Sequence, residues 1–371
     1  MSPVFSEFDR SAMQRALMLA ARGLNTTDPN PRVGCVIARG ERIVGEGWHE
    51  RAGEAHAEVA ALRAAGSQAT GATVYVTLEP CNHQGRTAPC TLALTAARVA
   101  RVVYALADPN PQVRGQGAAA LAAAGVSVQA GLLEAQAREL NAGFFKRMQQ
   151  GLPLVRVKLA MSLDGRTALA DGSSQWLTGE AARADVHAWR ARSSAVMTGV
   201  GTVLADDPRL TVRLQEGVAA RQPLRVVLDS RLRTPRNARL FEEGGEVLLL
   251  TTLGALDEKR AAALSERGAR IETLPAHGER LDLGAVFARL AELEANEVLV
   301  EAGATLAGAI VRAGLADELL LYVAPKLLGP AARALVTLAP PGTLADAPGF
   351  AFLESQRIGE DLRLRLAPGQ R

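Results

Sequence analysis

Cysteine is scarce in this chain of 371 residues: there are 3, beside 5 histidines. So small and odd a number excludes a disulfide framework and fits a reducing compartment. Aromatic residues make up 4% and the formal net charge is only +3. Neither a basic patch nor an aromatic-studded nucleic-acid surface is indicated. No apolar run reaches the roughly 18 residues that span a bilayer. The beginning carries Glu7 and Asp9 and lacks a basic-then-apolar secretion segment. These absences predict a soluble cytoplasmic protein with no nucleic-acid or membrane partner. Apolar residues, by contrast, are plentiful at 48%, enough for two cores in a chain long for one domain.

The rare residues are not scattered. His56-Ala57-Glu58 is followed by Pro80-Cys81-Asn82-His83 and by Pro89-Cys90. A catalytic zinc ion takes three protein ligands and leaves the fourth position for water, whose pKa it lowers. His56, Cys81 and Cys90 supply such a set, for one Zn2+ per chain. Glu58, two residues past the histidine, is the candidate proton relay from that water to departing ammonia. A structural zinc knot would show four close ligands and no carboxylate one turn away. His83 can ligate in principle, but a fourth protein ligand would displace the water, so it reads as pocket wall or substrate contact. Zinc deaminases commonly space their cysteines as Cys-x-x-Cys; here eight residues intervene, which argues against a nucleoside or nucleic-acid deaminase.

The hydrophobic pattern predicts an α/β fold. A helix over 7–22 precedes strands at 33–38 and 43–48, a helix at 56–65, a strand within 71–78, a helix at 90–98 and a strand at 99–106. A helix at 118–124, a short strand at 126–129 and one helix over 132–149 follow. Gln149-Gln150-Gly151-Leu152-Pro153 is punctuation, giving domains 1–149 and 150–371. Strands are then predicted at 154–159, 195–198, 224–228, 246–251, 297–300 and 319–323, with helices at 180–192, 257–267, 283–295 and 305–313. Residues 213–222 and 330–348 read as loops. Cys35, in the run 33–37, reads as a buried thiol; His187 and His277 read as solvated. Lys158 falls on the polar face of its strand with Arg156 and Ala160. Gly199-x-Gly201 alone is a weak phosphate signal and not a Rossmann fingerprint. Gly303-Ala304-Thr305, between a strand and a helix, is a better one.

The segments Thr27 to Ile37, Gly47 to Glu58 and Glu79 to Thr87, then Val157 to Gly165, Ser174-Gln175-Trp176, Gly199 to Pro208 and Val300 to Gly303, resemble the bifunctional riboflavin-biosynthesis deaminase–reductase family over essentially the whole chain. The resemblance implies a cytidine-deaminase-like three-layer αβα domain and a dihydrofolate-reductase-like α/β domain. The first would deaminate 2,5-diamino-6-ribosylamino-4(3H)-pyrimidinone 5′-phosphate. The second would reduce the ribosyl side chain of the product to ribityl with NADPH. It implies substrate contacts at Asn30 and His49 in the first domain, and at Ser174, Arg190, Leu210, Arg213 and Glu301 in the second. Arg190 could pair bidentately with the substrate phosphate, or be an ordinary helix-surface arginine. Lys158 and Asp206 would be catalytic, Asp206 lying beside the nicotinamide. Ala160, Trp176, Thr202 and Ser230 would touch the cofactor, Ser230 at its 2′-phosphate, with core packing the alternative for Trp176. Gly303, Ala304, Thr305, Leu306, Ala307, Gly308 and Ala309 would cradle its pyrophosphate. The family suggests a homodimer or homotetramer. The rival reading is a zinc nucleoside or tRNA deaminase with a C-terminal binding module.

Overall fold

The computed structural model describes residues 5–83, 88–110, 113–214, 220–255 and 257–369. Two quoted stretches, Gln84-Gly85-Arg86-Thr87 and residues 215–219 of the loop at 213–222, lie outside the described residues. The chain divides into two compact units, Met1–Gly151 and Leu152–Arg371.

The first unit runs α1 (Glu7–Ala21), β1 (Gly34–Arg39), β2 (Arg42–Trp48), α2 (Ala57–Ala65), β3 (Thr73–Val76), α3 (Cys90–Ala96), β4 (Arg101–Tyr104), α4 (Gln116–Ala123), β5 (Ser127–Ala130), α5 (Glu134–Leu140) and α6 (Ala142–Gln150). The sheet order is β2-β1-β3-β4-β5, with β1 antiparallel to both neighbours and β3, β4 and β5 parallel. Successive residues of a strand point to opposite faces. Val36, Tyr75 and Val103 therefore pack with α1 and α6 through Met13, Leu17 and Phe144. Cys35, Ile37, Val74 and Val102 pack with α2, α3 and α4 through Ala61, Leu94 and Leu121. Cys35 is wholly buried in that second core. Gly47 lets α2 lie directly on β2, since a Cβ there would stand 2.4 Å from the Ala61 nitrogen.

The single helix expected over 132–149 is broken. Asn141 separates α5 from α6, its side-chain amide engaged on both ends by the Arg32 backbone. It accepts from the Arg32 backbone N–H at 2.8 Å and donates to the Arg32 carbonyl at 2.9 Å. A contact 109 residues away has overridden local helical periodicity.

The second unit runs β6 (Leu154–Ser162), β7 (Arg166–Ala168), α7 (Glu180–Arg192), β8 (Ala195–Gly199), α8 (Val200–Asp206), β9 (Leu224–Leu228), β10 (Val247–Thr252), α9 (Glu258–Ser265), β11 (Ala269–Leu274), β12 (Ala276–His277), β13 (Arg280–Leu281), α10 (Leu283–Glu292), β14 (Glu297–Glu301), α11 (Ala304–Arg312), β15 (Glu318–Ala324), β16 (Arg333–Ala334), β17 (Phe350–Ile358) and β18 (Asp361–Pro368). Its main sheet is ordered β11-β10-β9-β8-β14-β6-β15-β18-β17. The pairs from β11 through to β15 are parallel, and β18 and β17 add antiparallel pairs at one edge. That hairpin lies beyond the last strand the hydrophobic pattern predicts. Its outer strand is largely exposed, so no continuous apolar run marks it. Residues 330–348, read as loop, contain β16, which pairs with β7.

The alternation along β6 holds, but its polar face is not a solvent face. Arg156 is buried with Glu318 at 2.9 Å and with Glu297, and it stands over the Trp189 ring of α7. A buried guanidinium persists only when paired in this way.

Candidate active sites

In the first unit α2 and α3 each begin on a functional residue. His56 is the extended N-cap of α2, and Glu58 sits in that helix's first turn. Pro89 caps α3, whose first residue is Cys90. Cys81 follows Pro80 beyond the end of β3. The ligand atoms of His56, Cys81 and Cys90 lie within 4.8 Å of one another, the one such trio able to hold a metal among the described residues. His56 Nδ1 is 3.2 Å from Cys90 Sγ and 3.6 Å from Cys81 Sγ. The Cys90 thiol hydrogen-bonds Cys81 and, against the cost of burial, brings it down to about 4, His56 adding to the effect. Cys90 is pushed far up, chiefly by the same interaction. Two sulfurs and an imidazole converge here, a donor set that suits a thiophilic dication.

Glu58 is 4% exposed. Burial, then the nearby Cys81 charge, pushes its carboxyl up to about 7. That range suits a group that must take and return a proton. His49 is buried. Its Nδ1–H donates to the Ala55 carbonyl at 3.1 Å, which leaves Nε2 to accept from the Asn30 amide at 3.1 Å. Its ring stands edge-on to His56 with centroids 5.5 Å apart. The structure thus brings Asn30 and His49 to the metal trio. His83 is exposed. Asp108 went unforeseen: it is buried, and burial, then Glu79 and Cys81, pushes it up to about 6. The Asp-Pro-Asn of residues 108–110 was the available signal.

In the second unit a cavity of about 1780 Å3 lies at the ends of β6, β8, β9 and β14. Lys158, Ala160, Ser174, Trp176, Arg190, Thr202, Asp206, Leu210, Arg213, Ser230 and Glu301 all line it, as do Gly303, Ala304, Thr305, Leu306 and Ala309. Ala307 and Gly308 do not. Helical periodicity turns Ala307 into the core, and Gly308 meets the Thr337 carbonyl so closely that a Cβ would stand 2.2 Å away. Gly199 is the N-cap of the short helix α8 rather than part of an open phosphate loop.

Arg190 is neither a surface arginine nor free for a phosphate fork. Its Nε and Nη2 donate to Glu301 at 2.5 and 2.9 Å, and Nη1 donates to the Thr211 carbonyl. Burial opposes the Glu301 charge, but Arg190, with help from Lys158, brings that carboxyl down to about 2. Burial lowers Lys158, and the Arg190 charge adds to this against the pull of Glu301. His187, read as solvated, is half-buried in the cavity wall and accepts from the Arg213 N–H at 3.1 Å. Burial, then Arg190 and Arg213, brings it down to about 4. His277 is exposed at the rim. Asp206 is exposed to the cavity, whereas its neighbour Asp207 accepts from the Arg239 N–H. Trp176 is 65% exposed, which excludes a core role, and the Arg183 guanidinium covers its ring at 4.7 Å.

Two family profiles match the chain: the cytidine and deoxycytidylate deaminase zinc-binding region over residues 6–106, and the RibD C-terminal domain over 153–364. The riboflavin biosynthesis protein RibD of Escherichia coli K12 is 50% identical, covering 96% of this chain and 99% of the relative. That of Mycobacterium tuberculosis H37Rv is 43% identical, covering 96% of each. Among solved structures, Acinetobacter baumannii RibD superposes with a TM-score of 0.91 at 46% identity, covering 98% of this chain and 99% of that one. A Thermotoga maritima diaminohydroxyphosphoribosylaminopyrimidine deaminase/5-amino-6-(5-phosphoribosylamino)uracil reductase superposes at 0.86 and 31% identity, with the same coverage. The two units accordingly have the cytidine-deaminase-like and dihydrofolate-reductase-like folds.

Proposed function

The chain belongs to the RibD family of bifunctional riboflavin-biosynthesis enzymes, and from that premise we propose which of its residues perform the deamination and which the reduction. The first unit hydrolyses an amine from the phosphorylated diaminopyrimidinone. His56, Cys81 and Cys90 would hold a zinc ion, which when bound would supply Lewis acidity. Glu58 accepts the proton of the attacking water and delivers it to the departing amine. Asn30 and His49 orient the pyrimidine edge, their mutual hydrogen bond fixing both side chains.

The second unit reduces the ribosyl group of the deaminated product. NADPH, when bound, would supply the hydride that reduces the ribosyl group. Thr202, Ser230 and the residues at the start of α11, Gly303 to Leu306, would hold it, with Trp176 over it; all of them line the cavity. Lys158 and Asp206 face the reacting carbon. Glu301 and Arg190 act together as a fixed ionic floor that sets the positions of Lys158 and Thr211. Arg213 remains to meet the substrate phosphate. The enzyme is proposed to work in the cytoplasm as a homodimer or homotetramer.

The observation that carries this reading is the buried carboxyl of Glu58 in the first turn of the helix that His56 caps, beside a His–Cys–Cys trio. Glu58→Gln keeps shape and zinc but removes the relay, so ammonia release falls about 10²–10⁴-fold while NADPH oxidation with the deaminated substrate persists. Asp206→Asn gives the converse pattern. Undiminished ammonia release by Glu58→Gln would contradict the assignment.

A further inference from the structure

Glu79 is buried at 3% exposure, two residues before the zinc ligand Cys81, with no catalytic part in the scheme above. Its carboxylate is saturated by main-chain donors. Oε1 accepts from Gly117 and Ala118 at 3.1 Å each, and Oε2 from Gly115 at 3.0 Å and Asp108 at 3.3 Å. Gly115, Gly117 and Ala118 are the N-cap, second and third residues of α4, a helix that has no capping side chain of its own. Glu79 therefore caps α4 from a different strand, placing an anion where the helix's free amides and positive end require one. Its own N–H donates to the Leu106 carbonyl at 3.0 Å, so backbone and side chain are both anchored.

The next residue shows how close this joint is. A Cβ on Gly117 would stand 1.9 Å from the Pro80 carbonyl oxygen. The N-terminus of α4 is thus packed onto the peptide that leads into Cys81. On the far side of Cys81, the Thr91 N–H donates to the Cys81 carbonyl at 3.2 Å, and the Thr91 hydroxyl donates to Asn82 at 2.7 Å. That brace ties the two cysteine segments to each other across the eight-residue spacer, whereas Glu79 ties the first of them to the start of α4 and to the backbone of the buried Asp108.

We propose that Glu79 is a positioning residue of the deaminase site: by clamping α4 and residue 108 to the Glu79-Pro80 hinge, it sets the place of the Cys81 sulfur relative to His56 and Cys90. The proposal rests on the zinc-deaminase reading and adds to it a group outside the ligand set. Glu79→Gln puts an NH2 donor among amides that are themselves donors, so at least one clamp is lost and Cys81 shifts.

The test uses the full-length zinc enzyme and its cobalt-substituted form. Glu79→Gln should release zinc to a chromophoric chelator about 10–100-fold faster than the parent, the range typical of groups that orient a ligand. The thiolate-to-cobalt absorption band should shift as well. Leu121→Ala is the control: it weakens the packing of the same helix, where Leu121 is fully buried, without touching the clamped amides, and it should leave the cobalt spectrum parental. Should Glu79→Gln fail to fold, Gly117→Ala carries the test, because its methyl must displace Pro80, and the same band shift is expected. A parental off-rate and spectrum in Glu79→Gln or Gly117→Ala, or the same change in Leu121→Ala, overturns the proposal. A parent that binds no zinc would instead sink the underlying reading.

Discussion

Replacing Glu301 by glutamine should unsettle the second unit and do so in a pH-dependent way. Glu301 and Arg190 form a two-pronged pair, each side chain 12% exposed. Removing one partner of a buried pair costs about 3–5 kcal/mol, because the other charge is left stranded. The folded carboxyl titrates at about 2 instead of the usual 4.5; at about 1.4 kcal/mol per pH unit this gives about 3 kcal/mol, consistent with the first figure. For a unit of this size each kcal/mol moves the melting temperature by about 2–4 °C, so Glu301→Gln should melt about 6–12 °C below the parent near pH 7. Because the folded carboxyl titrates below the unfolded one, its contribution is complete above about pH 4.5 and disappears as pH falls towards 2. Calorimetry of the second unit's transition should therefore show the gap between parent and variant closing over that window. A gap below about 2 °C at neutral pH, or one that does not narrow on acidification, would refute the assignment of Arg190 and Glu301 as a mutually dependent pair.

Cys90→Ser should lose zinc on dialysis, measured by elemental analysis, and with it ammonia release, while NADPH oxidation with the deaminated substrate continues; full zinc content would remove Cys90 from the ligand set. Trp176→Ala should weaken NADPH binding about threefold to tenfold, the value of an aromatic face beyond its buried area, and should diminish cofactor-induced quenching of tryptophan fluorescence. Unchanged affinity would mean that the exposed ring does not cover the cofactor.

The first site was legible in the sequence because metal chemistry restricts ligand types and because helix starts are written locally: proline before Cys90, and a Gly66 stop eight residues after Glu58. The residues named in advance for the second cavity came through resemblance, and two of the errors there share a cause. Arg190 looked available and His187 looked solvated because their partners, Glu301 and the Arg213 amide, are 111 and 26 residues away. The same holds for Asn141, whose partner Arg32 breaks a helix that local periodicity joins. Ala307 and Gly308 were carried over as part of a contiguous motif, but a helix can present only one face to a cavity. Asp108 was passed over because a lone carboxyl in a proline-flanked turn looks like solvent-facing punctuation until Glu79 is seen beneath it.

The place of β6 in its sheet also bears on how the polypeptide is made. It is the first strand of its unit to emerge from the ribosome, yet both its neighbours, β14 and β15, come near the end. Arg156 must wait for Glu297 and Glu318, 141 and 162 residues downstream. At about 5–20 residues per second that is about 7–30 s during which an apolar strand bearing an unpaired cation has no partner. A nascent chain stalled before residue 297 would present that strand to chaperones and proteases, while the first unit, all of its strands already made, could be finished and holding metal.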